Sequence, residues 1–178
     1  MKVNNGRTLE ISELTLGELR RTLAFFAAHD KEFFYQNNIH ECCEWHKKGS
    51  KFFAIIKNGQ LAALGGLSFY DQDGNQAFYF KAEVAVLTNA YVFSDFRQRG
   101  YHRILIKHRL KFCLQQGLFK IRALVKDGNT KPAKNLQSSG FVYSGHYDYD
   151  NVNAEIYVYA KRWRIVLAKI VNFLREVF

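Results

Sequence analysis

Arg97-Gln98-Arg99-Gly100-Tyr101-His102-Arg103 joins an apolar, strand-like run (Val84 to Phe93) to an amphipathic helical pattern (Ile104 to Gln116). A basic turn between a strand and a helix start is where a chain can hold a pyrophosphate. The first N–H groups of a helix have no partner within it, and the aligned peptide dipoles leave partial positive charge at that end. Gly100 lets the backbone approach an anion closely, and three arginines add fixed charge. So many donors would be wasted on one free phosphate, and the turn points instead to a phosphorylated cofactor.

The chain around this turn has 178 residues, of which 48% are hydrophobic and one is proline. That is enough for one domain with its own core, without disulfides or metal. No linker, repeat or low-complexity tract is present. Met1 to Glu10 is polar and unlike a secretory signal, and no uninterrupted apolar stretch reaches the roughly eighteen residues of a membrane span. Cys42 and Cys43 are adjacent and Cys113 falls in the helical pattern; this fits reduced thiols in the cytoplasm. The net charge of +10 admits nucleic acid, an anionic membrane face or a polyphosphate cofactor as partner. Its cations concentrate in Arg97 to Lys111 and Lys161 to Arg175. No groove-facing charge or reading helix is legible, which disfavours nucleic acid.

Leu9 to Leu14 reads as a first strand, and Thr15 to His29 as a helix opened by a Thr15-x-x-Glu18 capping box. Phe33 to Lys48 reads as a second helix ended by Gly49. Lys51 to Lys57 and Leu61 to Tyr70 form a hairpin across Asn58-Gly59, followed by a turn at Asp71 to Asn75 and an extended region to Phe93. After the arginine turn and its helix come a short buried strand (Ile121 to Val125) and a helix (Pro132 to Ser139) stopped by Gly140. A last hairpin pairs Phe141 to Tyr149 with Glu155 to Ala160. The sum is a mixed α/β layer.

These residues resemble the GNAT family of N-acetyltransferases. The family's acyl-CoA signature, Gln/Arg-x-x-Gly-x-Gly/Ala, follows a strand of the form Leu-Tyr-Val-x-x-x-aromatic. Here Ala90-Tyr91-Val92-Phe93-Ser94-Asp95-Phe96 precedes Arg97 to His102. A second family feature, an Asn eleven residues before a Gly-Phe pair, matches Asn129 and Gly140-Phe141. Two positions depart from the pattern: His102 replaces the final Gly/Ala, and Leu136 stands where many members carry the Tyr that protonates the leaving thiolate.

The resemblance implies a mostly antiparallel sheet splayed at its centre, flanked by helices, over residues 1–160. It implies an acyl-CoA-dependent N-acyltransferase, with acetyl-CoA or another acyl-CoA as co-substrate, an amine as acceptor and no metal. Pantetheine would enter the splay and pair with the backbone near Ala90, Tyr91 and Val92. The pyrophosphate would rest on Arg97, Gln98, Arg99, Gly100, Tyr101, His102 and Arg103, with Asn129 on the cofactor side. A backbone N–H near Val92 would stabilise the oxyanion. The alternatives are the same fold served by an acyl carrier protein, drawn by the basic surface, and a non-catalytic module that binds CoA or a membrane.

Amine attack needs a group to take a proton. Many family members use a carboxylate on the central strand; the comparable position here is Val86, and Glu83 lies earlier, on the other face of a regular strand. Thr88, on the side of Val86 and Ala90, is positioned to bind or polarise. His146 has the intrinsic pKa of a base or acid, and Tyr143 and Tyr147 are proton-donor candidates. His40-Glu41-Cys42-Cys43-Glu44-Trp45-His46 invites a zinc reading, but its pairs fall on different helix faces and no second cluster completes a site. Residues 161–178 form a basic amphipathic helical pattern, with Trp163, Val166, Leu167, Ile170, Leu174 and Val177 in a stripe. It fits docking on the domain, docking on a second subunit, or binding to an anionic surface on the cytoplasmic membrane face.

Overall fold

The computed structural model describes residues 8–30, 33, 39–149 and 152–159. β1 (Leu9–Glu13) leads into α1 (Leu16–His29) and α2 (Ile39–Lys47). β2 (Lys51–Lys57), β3 (Gln60–Tyr70) and β4 (Val84–Val92) follow, then α3 (Tyr101–Gln115), β5 (Lys120–Lys126) and α4 (Thr130–Gln137). β6 (Phe141–Tyr149) and β7 (Val152–Tyr159) close the sheet, whose strand order is β1-β2-β3-β4-β5-β7-β6. Every neighbouring pair is antiparallel except β4 and β5, whose parallel pairing requires the crossover that α3 supplies.

Local chemistry explains most boundaries. The capping box at the start of α1 is formed: Thr15 N–H donates to Glu18 Oε2 at 2.8 Å, and Glu18 N–H donates to Thr15 Oγ1 at 3.4 Å. The β2–β3 turn needs two left-handed residues, which Asn58 (φ 50°) and Gly59 (φ 76°) provide. β2 reads Phe-Phe-Ala-Ile-Ile without polar alternation because helices cover both of its faces. Phe53 and Ile55 join Leu67, Leu87, Leu105, Ile106 and Leu136 on the α3/α4 side. Phe52 and Ala54 join Leu19, Leu23, Phe26, Leu64 and Tyr91 on the α1/α2 side.

Several sequence expectations are corrected. Of the expected second helix, Phe33 itself is not helical, Ile39–Lys47 is helical, and residues 34–38 lie outside the described residues. The region before β4 is not extended throughout, because Tyr79–Lys81 forms a single 3-10 turn. α3 starts at Tyr101, directly after Gly100, and α4 starts at Thr130, where Pro132 is tolerated within the first turn. The helical pattern expected over residues 161–178 lies outside the described residues, as does Ala160. Among the described residues, no helix is long and apolar enough to cross a membrane.

Candidate active site

β4 and β5 pair only from Val84 opposite Lys120 to Leu87 opposite Ala123. Beyond that point β4 stays with β3 as far as Val92 opposite Ala63, whereas Leu124 to Lys126 of β5 stay with β7. The two central strands therefore part. β4 backbone groups that face β5 beyond Leu87 have no strand partner among the described residues, and such groups require one.

At the same place β4 bulges. Thr88 faces Gly66 and Tyr91 faces Leu64, so two β4 residues stand opposite the single Gly65. Asn89 takes a left-handed conformation there (φ 47°). The extra residue corrects the expected alternation: Thr88 and Tyr91, not Thr88 and Ala90, share the α1/α2 face. Thr88 Oγ1 lies over Gly66 beside Phe52, and Tyr91 packs edge-on against Phe26 at 5.5 Å.

The bulge is held from both sides. On the α3 side, Arg109, only 1% exposed, donates through Nη1 to the carbonyls of Gly66 (2.7 Å) and Thr88 (3.0 Å). On the α1/α2 side, Thr88 Oγ1 lies 3.5 Å from Ser68 Oγ, the near end of a hydrogen-bonded run through Ser50 to Gln76. Neither Arg109 nor this run stands out in the sequence. The legible signal was the pair Gly65-Gly66 inside an apolar strand, a mark of close approach. A Cβ at Gly65 would stand 3.1 Å from Arg109 Cζ, and one at Gly66 would stand 2.7 Å from Thr88 Oγ1.

The gap leads to the arginine turn. Gln98 (φ 61°) and Gly100 (φ 80°) are left-handed, and Gly100 is the N-cap of α3. The first helical bond runs from Ile104 N–H to the Gly100 carbonyl. The N–H groups of Gly100, Tyr101, His102 and Arg103 precede it and are the unspent donors of the helix start. Arg99 and Arg103 are exposed, with Arg99 stacked over Phe96 at 5.6 Å. The Arg97 guanidinium turns inward. Nε donates to the Val92 carbonyl at 3.2 Å and Nη2 donates to Tyr91 Oη at 3.0 Å. Buried Asp30, at the end of α1, accepts from Ser94 N–H at 2.8 Å, and burial together with Asp30 pushes the Tyr91 hydroxyl above its usual pKa. Arg97 thus ties the turn to the interior.

His102 also points inward. Asn135 Nδ2, which can only donate, lies 3.1 Å from His102 Nδ1. Burial, and then the charge of Arg109, lowers the His102 pKa from 6.5 to about 4, so the ring is neutral and adds no charge for a phosphate. Its backbone N–H remains among the free donors.

A model described as the acetyltransferase (GNAT) family matches residues 14–141. The chain belongs to this family. Among solved structures it is similar to the ribosomal-protein-S18-alanine N-acetyltransferase of Escherichia coli, with TM-score 0.64, 17% identity, and coverage of 85% of this chain and 91% of that one. A GNAT-family acetyltransferase of Staphylococcus aureus Mu50 gives TM-score 0.64 at 14% identity, covering 85% and 98%. Ard1 of Thermoplasma volcanium gives 0.62 at 18%, covering 84% and 95%. At these identities the likeness is one of fold. No curated protein sequence matches the chain.

Against the GNAT pattern, the remaining candidates fall in separate places. Asn129 is the exposed N-cap residue of α4 and makes no side-chain cap bond. His146 is exposed on edge strand β6, with Nδ1 3.6 Å from Asp127 Oδ1 and its ring 5.7 Å from that of Tyr143. β6 lies three strand spacings from β4, roughly 14 Å. Tyr143 and His146 sit on the α3/α4 side and Thr88 on the other, so the structure does not bring these three together. The side chain of Tyr147 lies outside the described residues. Glu83 is spent in an ion pair with Lys120 at 2.7 Å, and Leu136 is buried in the core. Burial pushes the Cys42 thiol up to about 12, which leaves it protonated and unreactive.

Proposed function

We propose that this GNAT protein transfers an acyl group, acetyl in the simplest case, from a coenzyme A thioester to an acceptor amine. The observation that carries the reading is the parting of β4 from β5 beside a helix start with unspent N–H groups, Arg99 and Arg103. An amide-bearing arm satisfies the strand edge in the gap, and a pyrophosphate is matched by the helix end and the two exposed guanidinium groups. Backbone N–H groups of β4 and the Thr88 hydroxyl are the donors available to an oxygen at the bulge.

The reaction is a direct displacement. The amine nitrogen bonds to the thioester carbon, the carbonyl electron pair moves onto oxygen, and its return breaks the carbon–sulfur bond. The nitrogen loses one proton to water and the thiolate takes one from water. The described residues around Thr88 supply polarisation rather than a carboxylate base, so a weakly basic amine or a high working pH suits the site. Acceptors to test are amino sugars, small amines, lysine and polypeptide α-amines; the last class is that of the E. coli relative's substrate.

A second reading, a module that binds CoA without turnover, is favoured by Val86, Leu136 and the engaged Glu83. Calorimetry with CoA, paired with thiol release from acetyl-CoA over the amine panel, separates the two. Binding with release supports transfer, binding without release supports the module, and absence of binding sinks both. Replacing acetyl-CoA by an acylated carrier protein in the same assay tests that donor.

A further inference from the structure

On the α1/α2 face, four polar side chains lead from the loop after β3 to the β4 bulge. Gln76 Nε2 donates to Ser50 Oγ at 2.8 Å and to the carbonyl of Trp45 at 3.3 Å. Ser50 Oγ donates to Ser68 Oγ at 3.0 Å, and Ser68 Oγ lies 3.5 Å from Thr88 Oγ1. Ser50 and Ser68 are 1% and 2% exposed, which keeps water from breaking into the run.

The far end and the burial of the two serines, whose hydrogens need acceptors, together set the direction of the chain. A carbonyl only accepts, so the Gln76 atom facing Trp45 is the amide nitrogen, and Ser50 must accept from it. A hydroxyl has one hydrogen. Ser50 spends its own on Ser68, which leaves the hydrogen of Ser68 for Thr88. The hydrogen of Thr88 is then left over, and among the described residues no acceptor other than Ser68 Oγ lies within its reach. Thr88 itself is half-buried, and it is the first β4 residue beyond the last pairing with β5.

We infer that Gln76, Ser50 and Ser68 are positioning residues that hold the Thr88 hydroxyl as a hydrogen-bond donor to the acyl oxygen as that oxygen gains negative charge. The inference rests on the acyl-transfer reading. An isolated threonine hydroxyl can rotate and accept instead; here reversal would turn the Ser68 hydrogen onto Ser50 and leave the buried Ser50 hydrogen without an acceptor. Successive bonds in one sense also polarise one another, which strengthens the terminal donor. Gly66 belongs to the device because a Cβ there would occupy the space of Thr88 Oγ1.

The test is thiol release from acetyl-CoA by wild type, Thr88→Val, Gln76→Met, their double variant and Gln76→Glu, alongside CoA binding. Thr88→Val is expected to lower kcat roughly 100-fold, with KM for both substrates within about twofold. Gln76→Met is expected to lower kcat about fivefold, and the double variant to be no slower than Thr88→Val, because the two changes remove one pathway. A glutamate at position 76 donates only while protonated, so Gln76→Glu adds an alkaline fall in kcat that wild type lacks; a merely structural defect would be flat with pH. Additive losses, or a Gln76→Glu profile parallel to wild type, overturn the chain. A raised amine KM with unchanged kcat in Thr88→Val overturns it too, by assigning the hydroxyl to substrate holding. Wild type that binds CoA but releases no thiol sinks the acyl-transfer reading and this inference with it; wild-type turnover with additive variants sinks the inference alone.

Discussion

Arg109 Nη1 lies 3.0 Å from the carbonyl oxygen of Thr88 and 2.7 Å from that of Gly66, so one guanidinium spans two strands where their ladder is interrupted. A buried carbonyl left without a donor costs about 1–3 kcal/mol. Arg109→Met keeps the apolar stem but removes both donors. Its unfolding free energy in urea should fall by roughly 2–5 kcal/mol, with Arg109→Lys intermediate. A change below about 0.5 kcal/mol, the range of ordinary surface substitutions, would show that the guanidinium does not support the bulge.

Two glycines should fail for different reasons. Gly100 is left-handed (φ 80°) with open space where a Cβ would go, so Gly100→Ala carries only the backbone penalty of about 1–2 kcal/mol. Gly66 has no such backbone demand, yet its Cβ would stand 2.7 Å from Thr88 Oγ1 and 3.0 Å from Phe52 Cε1. Gly66→Ala should be partly rescued by Thr88→Ala, which vacates the space. Gly100→Ala should show no such rescue. Equal response of both variants to Thr88→Ala in a thermal melt would refute the distinction.

His102 makes stability depend on pH. Its pKa falls from 6.5 to about 4 on folding, so between those values the unfolded chain binds more protons. Its contribution is complete above pH 6.5 and is lost as the pH falls towards 4. The loss at pH 4.5 relative to pH 7 should be on the order of 2 kcal/mol. His102→Gln should flatten this part of the profile by comparison with wild type. An identical acid slope in both proteins would mean that folding does not lower the His102 pKa.

The arginines of the turn should separate by role. Arg99→Glu and Arg103→Glu should each weaken CoA binding about tenfold at low ionic strength and reduce its salt dependence. Arg97→Gln should instead lower stability by roughly 1–2 kcal/mol, through the bonds lost to Val92 and Tyr91. Calorimetry and thermal melts on the same three variants check this. A large CoA defect in Arg97→Gln without loss of stability would restore an anion-facing role.

The fold was legible because its signals are local. Asn58-Gly59 specifies its hairpin through two left-handed residues, Thr15 and Glu18 fix a helix start between them, and Gly100 marks the start of α3. The site was legible only in part. The arginine turn is contiguous in sequence, so its motif could be read directly. Arg109 is masked among the cations of its helix, and Gln76, Ser50 and Ser68 come from separate strands and loops. Alternation placed Thr88 and Ala90 together because no single-sequence rule announces a bulge at Asn89.

By itself, the sequence determined the succession of elements, the helix start that can take an anion, and the family pattern around it. Those features depend on neighbours within a few residues, where backbone geometry and hydrogen-bond reach are short-ranged. Only the tertiary structure decided which side chains gather at the β4 bulge. It turned Arg97 and His102 inward, set Tyr143 and His146 on a distant edge, and brought Arg109 and the Gln76 chain to opposite sides of Thr88. Sheet register and a single inserted residue govern those outcomes, and both are fixed by strands far apart in the chain.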